Sequence, residues 1–165
     1  MLLALAAALA GCATALPTVG RAAIESSALP GSPGTPLGRS VAASTPEGPH
    51  SGFRLLPLGP VSYDTRLQLA GLASVSLDLQ YYHFEADETC RTLLRALRDA
   101  ALRGVRGAGC GVRVRLLIDD LNTGGLDDLF MGFAAHPNVE VRLFNPFCCA
   151  RGSGQAGRFA AAIGD

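Results

Sequence analysis

Lysine is absent from the 165 residues, and all 14 basic positions are arginine. That absence excludes a Schiff base, a catalytic lysine amine and the lysine of a phosphate-binding P-loop. The arginines are balanced by 14 acidic residues, so the formal net charge is +0, which argues against a nucleic-acid binder. Cysteine is scarce. Cys12, Cys90, Cys110, Cys148 and Cys149 do not form two separated pairs at zinc-ligand spacing, so neither a metal nor another cofactor is expected. An oxidising compartment would permit disulfides, but the adjacent Cys148 and Cys149 do not pair easily with each other, and free thiols are the default reading. Long apolar runs are missing too: residues 1–11 are rich in Ala and Leu but fall short of the roughly 20 residues that span a bilayer.

What is present divides into four parts. Residues 1–12 suit a secretory signal, although no basic residue precedes the apolar run. The run ends Leu9-Ala10-Gly11-Cys12, which resembles a bacterial lipobox. Cys12 is then the expected lipidation site, and the expected location is the bacterial envelope as a membrane-anchored lipoprotein; an ordinary signal peptide with Cys12 incidental is the alternative. Residues 13–51 are rich in Ala, Pro, Gly, Ser and Thr, with Pro17, Pro30, Pro33, Pro36, Pro46 and Pro49 spread along them. They predict a disordered tether. Residues 52–147 carry the periodic patterns of a folded domain, and 148–165 read as an irregular tail.

The apolar fraction of 48% can furnish one core. Within the domain, FRLLPL (53–58) predicts a short edge strand, Pro57 placing it there. Ser62 predicts the cap of a helix over 63–72 that buries Leu67, Leu69 and Leu72. Residues 75–84 alternate Val75, Leu77, Leu79 and Tyr81 against Ser76, Asp78, Gln80 and Tyr82, a strand with one apolar face. Asp87 predicts the cap of a helix over 88–103, with Leu93, Leu94, Leu97, Ala101 and Leu102 as its apolar stripe and Gly104 its stop. A strand over 112–118 follows, then a helix over 126–135 capped by Thr123, with Asp127 and Asp128 at its positive end, and a last strand over 139–144. The order β-α-β-α-β-α-β with right-handed crossovers predicts an α/β fold with a parallel sheet. The triplet GVR occurs at 104–106 and again at 111–113; 104–110 read as a local loop insertion, or as an error in the gene sequence.

In parallel α/β sheets ligands bind beyond the carboxyl ends of the strands. Asp119, Asp120 and Asn122 fall there. Asp119 either orients a pocket or supports the turn; for Asp120 the turn is the simpler reading, and Asn122 and Thr123 suit turn and cap positions. Tyr81 and Tyr82 close their strand on opposite faces, one toward the core and the other available to a pocket. His83 and His136 are read as structural and His50 as part of the tether.

Four stretches taken together, LDLQYYHFEADETCRTLLRAL, RGVRVRLLIDDLNT (after removing 104–110), GLDD and HPNVEVRLFNPF, resemble the N-terminal half of a bacterial phospholipase D superfamily protein, in the cardiolipin synthase-like branch. The resemblance implies phosphatidyl transfer or phosphodiester hydrolysis on phospholipids without a metal, through paired HxKxxxxD motifs. In such motifs one His is the nucleophile, the other protonates the leaving alcohol and the Lys residues hold the phosphate. His50, His83 and His136 are not followed two positions later by Lys, so no catalytic residue is assigned and the chain alone is expected to be inactive. It reads as truncated before the motif. Expected partners are a phospholipid or membrane surface and the remaining half of the same fold. The alternatives are a non-catalytic envelope lipoprotein that keeps the half-fold as a binding module, and a pseudogene remnant.

Overall fold

The computed structural model describes residues 26–103 and 111–144. The signal segment with Cys12, all other residues before position 26, the 104–110 segment and everything from Asn145 onward lie outside them. Among the described residues the elements run α1 (Pro36–Ser44), α2 (Gly59–Leu72), β1 (Ser76–Tyr81), α3 (Glu88–Leu102), β2 (Arg113–Asp119), a short 3-10 turn (Asp120–Asn122), α4 (Asp127–Ala134) and β3 (Val139–Phe144). The sheet has order β1-β2-β3 and is parallel throughout.

Register explains the core. Leu77 lies opposite Val114 and Leu79 opposite Leu116; Val114 lies opposite Val139 and Leu116 opposite Val141. In-register partners on parallel strands share a face, so these apolar rows build one side of the sheet. α3 covers it with Leu93, Leu94, Leu97, Ala100 and Ala101, and α4 with Phe130 and Phe133, all buried. The Asp87 side chain accepts from the Cys90 amide and starts α3 where the sequence predicts.

The other face of the sheet is polar, unlike that of a fully sandwiched parallel sheet. Asp78, Arg115 and Glu140 stand in one row across the strands. Arg115 donates to Asp78 at 2.6 Å and Arg142 pairs with Glu140. The Arg115 guanidinium holds the Asp78 carboxyl below its ordinary pKa. Residues just upstream of α1 lie against this row: Ser26 donates to Glu140 at 2.7 Å and Arg113 donates to the Ser27 carbonyl at 2.8 Å.

The structure departs from expectation in four places. Residues 52–57 form no strand, and Phe53 and Leu55 are 95% and 84% exposed. Leu55 and Leu56 break the alternation and Pro57 lacks the amide a ladder needs, so the apolar run specifies no sheet face. The proline-rich stretch holds a helix instead of an irregular tether. Pro36 sits at the start of α1, the Thr35 side chain accepts from the Gly38 amide, and positions 37–45 are free of proline, so the prolines bracket the helix rather than break it. In α2, which begins at Gly59 and so takes Ser62 into its first turn, Ala70 is buried while Leu69 and Leu72 are 44% and 51% exposed. Finally, Leu126 precedes α4 without a side-chain cap, because the Thr123 hydroxyl turns back to the Asp120 carbonyl and carboxylate, each at 3.1 Å.

Candidate functional site at the carboxyl edge of the sheet

β1 and β2 end in register, Tyr81 beside Ile118, and Asp119 lies beside Phe144 of β3. The segments leaving these strands therefore meet at one edge. Asn122, on the turn after β2, donates from Nδ2 to the Tyr82 carbonyl at 3.1 Å, which joins the exits of β1 and β2. The Asp119 side chain accepts from the Leu121 amide at 2.9 Å, an Asx-type turn that fixes one carboxylate oxygen. Asp120 is buried and bonded to Thr123, so its first duty is to hold the turn. Tyr82 is 69% exposed, while Tyr81 packs edge-on against Phe84 with centroids 5.5 Å apart, and burial raises its phenol pKa. Of the candidates, the edge presents Tyr82, Asp119 and Asn122, with Tyr81 and Asp120 supporting from beneath.

Sequence reasoning missed the companion of this group. His83 does not pack into the core; its Nε2 lies 2.8 Å from Glu85 Oε1, with both side chains exposed. Glu85, and after it Asn122, favours the protonated ring and raises the His83 pKa. Because the folded value lies above the unfolded one, the interaction stabilises the protein at pH below about 6.5. It is lost as the pH rises through the raised folded value. Glu85→Gln is expected to lower the His83 pKa toward its ordinary value in an NMR titration; an unchanged midpoint would contradict the pairing. The i, i+2 spacing of His83 and Glu85 is visible in the sequence, but the approach of His83 to Asn122 depends on how two strands end.

Among the described residues, two cavities lie away from this edge. One of about 530 Å³ opens at the amino end of the strands, lined by Ser74, Arg113 and Asn138 among others. Another of about 250 Å³ lies over the Asp78–Arg115 row. The carboxyl edge brings an amide, a histidine and a phenol together among the described residues, with Tyr82 and His83 exposed. Cys90 is a free, half-buried thiol whose pKa burial raises.

This arrangement, a small parallel sheet covered by helices with polar side chains beyond its carboxyl ends, is that of an α/β domain. By sequence the chain is related to the cardiolipin synthase-like branch of the phospholipase D superfamily. It is 49% identical over 86 residues to cardiolipin synthase C of Escherichia coli (strain K12), a match covering 52% of this chain and 17% of that protein. An uncharacterised protein of Helicobacter pylori (strain ATCC 700392 / 26695) is 34% identical over 116 residues, 68% of this chain and 21% of its own length. The chain therefore spans about a fifth of the curated relatives it matches. No family model matches, and no solved structure matches.

Proposed function

We propose that this chain supplies part of the headgroup-binding wall of a cardiolipin synthase-like protein acting on phospholipids. The 49% identity to cardiolipin synthase C carries the reading; the Asn122–Tyr82 hydrogen bond and the position of Asp119 after β2 support the choice of the carboxyl edge. In this role the Asn122 amide and the His83 ring donate hydrogen bonds to phosphate or glycerol oxygens. Asp119, steadied by the Leu121 amide, accepts from a headgroup hydroxyl. None of the three histidines stands in an HxK context, so these 165 residues carry neither the nucleophile nor the phosphate-holding lysines of phosphatidyl transfer. They bind and orient. Bond making and breaking fall to groups outside them, in keeping with a remaining half of the fold as partner. Lipidation at Cys12 and export to the envelope complete the reading, and a Cys12→Ser variant that still incorporates labelled fatty acid would remove that part.

The test uses a soluble short-chain phosphatidylglycerol below its micelle concentration. The chain is expected to bind it weakly without turnover. Asn122→Ala and Asp119→Ala should each weaken binding by about 5- to 30-fold, the effect of losing one good hydrogen bond to a charged or polar ligand. Binding unaltered by both substitutions would overturn the proposed site, and phosphodiester turnover by this chain would overturn its non-catalytic role.

A further inference from the structure

The residues upstream of α1 are held to the sheet by polar contacts more than by packing. The Ser26 hydroxyl donates to Glu140 Oε2 at 2.7 Å and accepts from Arg115 Nη1 at 3.0 Å. Arg113 Nη2 donates to the Ser27 carbonyl at 2.8 Å. Beyond these bonds the attachment is slight. α1 contains no buried residue; its Leu37 packs partly against the core, and residues 39–55 are exposed throughout. A cavity of about 510 Å³ lies between Leu29, Leu37 and Val41 on one side and Ala73 and Val75 on the other. Arg113 Nε is buried without a hydrogen-bond partner, so one polar group of this contact stays unsatisfied while the segment is docked.

We propose that residues 26–45 form a releasable latch. It is closed when Ser26 and Ser27 bridge to Glu140, Arg115 and Arg113, and open when the segment leaves the sheet and α1 melts. Two states follow from the energetics of the parts. At 9 residues, α1 is shorter than the roughly 12–15 that a helix needs to persist alone in water, so it is helical only while docked. Its docking rests on a few hydrogen bonds, each of small net worth because water replaces it on release, and on little buried apolar area. Opening also returns Arg113 Nε to water. By contrast, α3 buries Leu93, Leu94, Leu97, Ala100 and Ala101 and opens only with the sheet it covers. Release up to the start of α2 adds about 30 residues of chain between the sheet and residues 1–25, a flexible reach on the order of 30 Å. The latch thereby sets how far the domain stands from whatever holds those residues.

Native-state hydrogen exchange on the full chain tests the latch. The amides of Ser40 to Ser44 in α1 should exchange roughly 100-fold or more faster than those of Leu97 in α3 and Leu116 in β2. They should nevertheless exchange more slowly than an unstructured chain, and with little dependence on added denaturant, because opening exposes little surface. Ser26→Ala/Leu37→Ala should speed exchange in α1 by roughly tenfold and leave Leu97 and Leu116 unaltered. Exchange of α1 and α3 at one rate with one denaturant dependence would make α1 an integral part of the fold and overturn the proposal. Exchange of α1 at the unstructured rate would leave no closed state and overturn it equally. So would a double variant that leaves α1 unaltered, or one that speeds all these amides together.

Discussion

Gly111→Ala should destabilise the protein by about 3 kcal/mol or more, at the severe end of single substitutions. A Cβ at this position would lie 1.8 Å from the Ala101 carbonyl oxygen and 2.5 Å from Asn138 Nδ2. The Ala101 carbonyl already accepts from that amide at 3.1 Å, and the neighbouring Val112 amide approaches the Ala100 carbonyl. The end of α3, the start of β2 and the turn before β3 therefore converge on one backbone contact. Backbone cannot rotate aside as a side chain can, so relief requires moving a helix or a strand. Chemical denaturation should show a lower midpoint with an unchanged slope. Gly124→Ala, where nothing lies within 4 Å of the added carbon, is the control and should shift stability by less than about 0.5 kcal/mol. Equal effects at the two positions would contradict the packing.

Phe84→Ala should cost about 3–5 kcal/mol, the range for a fully buried aromatic. Phe84 is 1% exposed and stands between Tyr81 and Phe130, edge-on to both, with its ring 5.4 Å from that of Phe130. It lies under the segment that carries Tyr82, His83 and Glu85, and its ring pins that segment to α4. The loss should therefore reach the surface: the His83 pKa should fall toward its ordinary value as Glu85 and Asn122 lose their fixed places. Phe84→Leu keeps most of the volume and should cost less than about 2 kcal/mol. A stable Phe84→Ala variant with an unaltered His83 titration would show that the edge is organised by something else.

Much of this architecture was legible before the structure. The alternation of β1, the Asp87 cap with its leucine stripe and the boundaries of β3 were read within a few residues, because each depends on local period and local hydrogen bonds. The failures have a common physical origin. FRLLPL has the composition of a strand, yet composition names no partner. Leu69 and Leu72 look like core residues, but in the described structure Ala70, between them, has the buried place. The prolines upstream suggested disorder because their number, and not their spacing around Thr35 and Gly38, was weighed. At the carboxyl edge, the placement of Asp119 and Asn122 after a strand is legible from the sequence, whereas that of His83 is not. Its link to Asn122 spans about 40 residues of chain, as the Asn122–Tyr82 hydrogen bond does, and no local pattern encodes it.

Headgroup recognition by the carboxyl edge of the sheet, as proposed, is best checked by amide and side-chain chemical-shift mapping with short-chain phosphatidylglycerol. Saturable shifts are expected at Tyr82, His83, Asp119 and Asn122, with Ser74, Arg113 and Asn138 at the opposite end unmoved. Shifts confined to that opposite cavity, or none at saturating lipid, would contradict it.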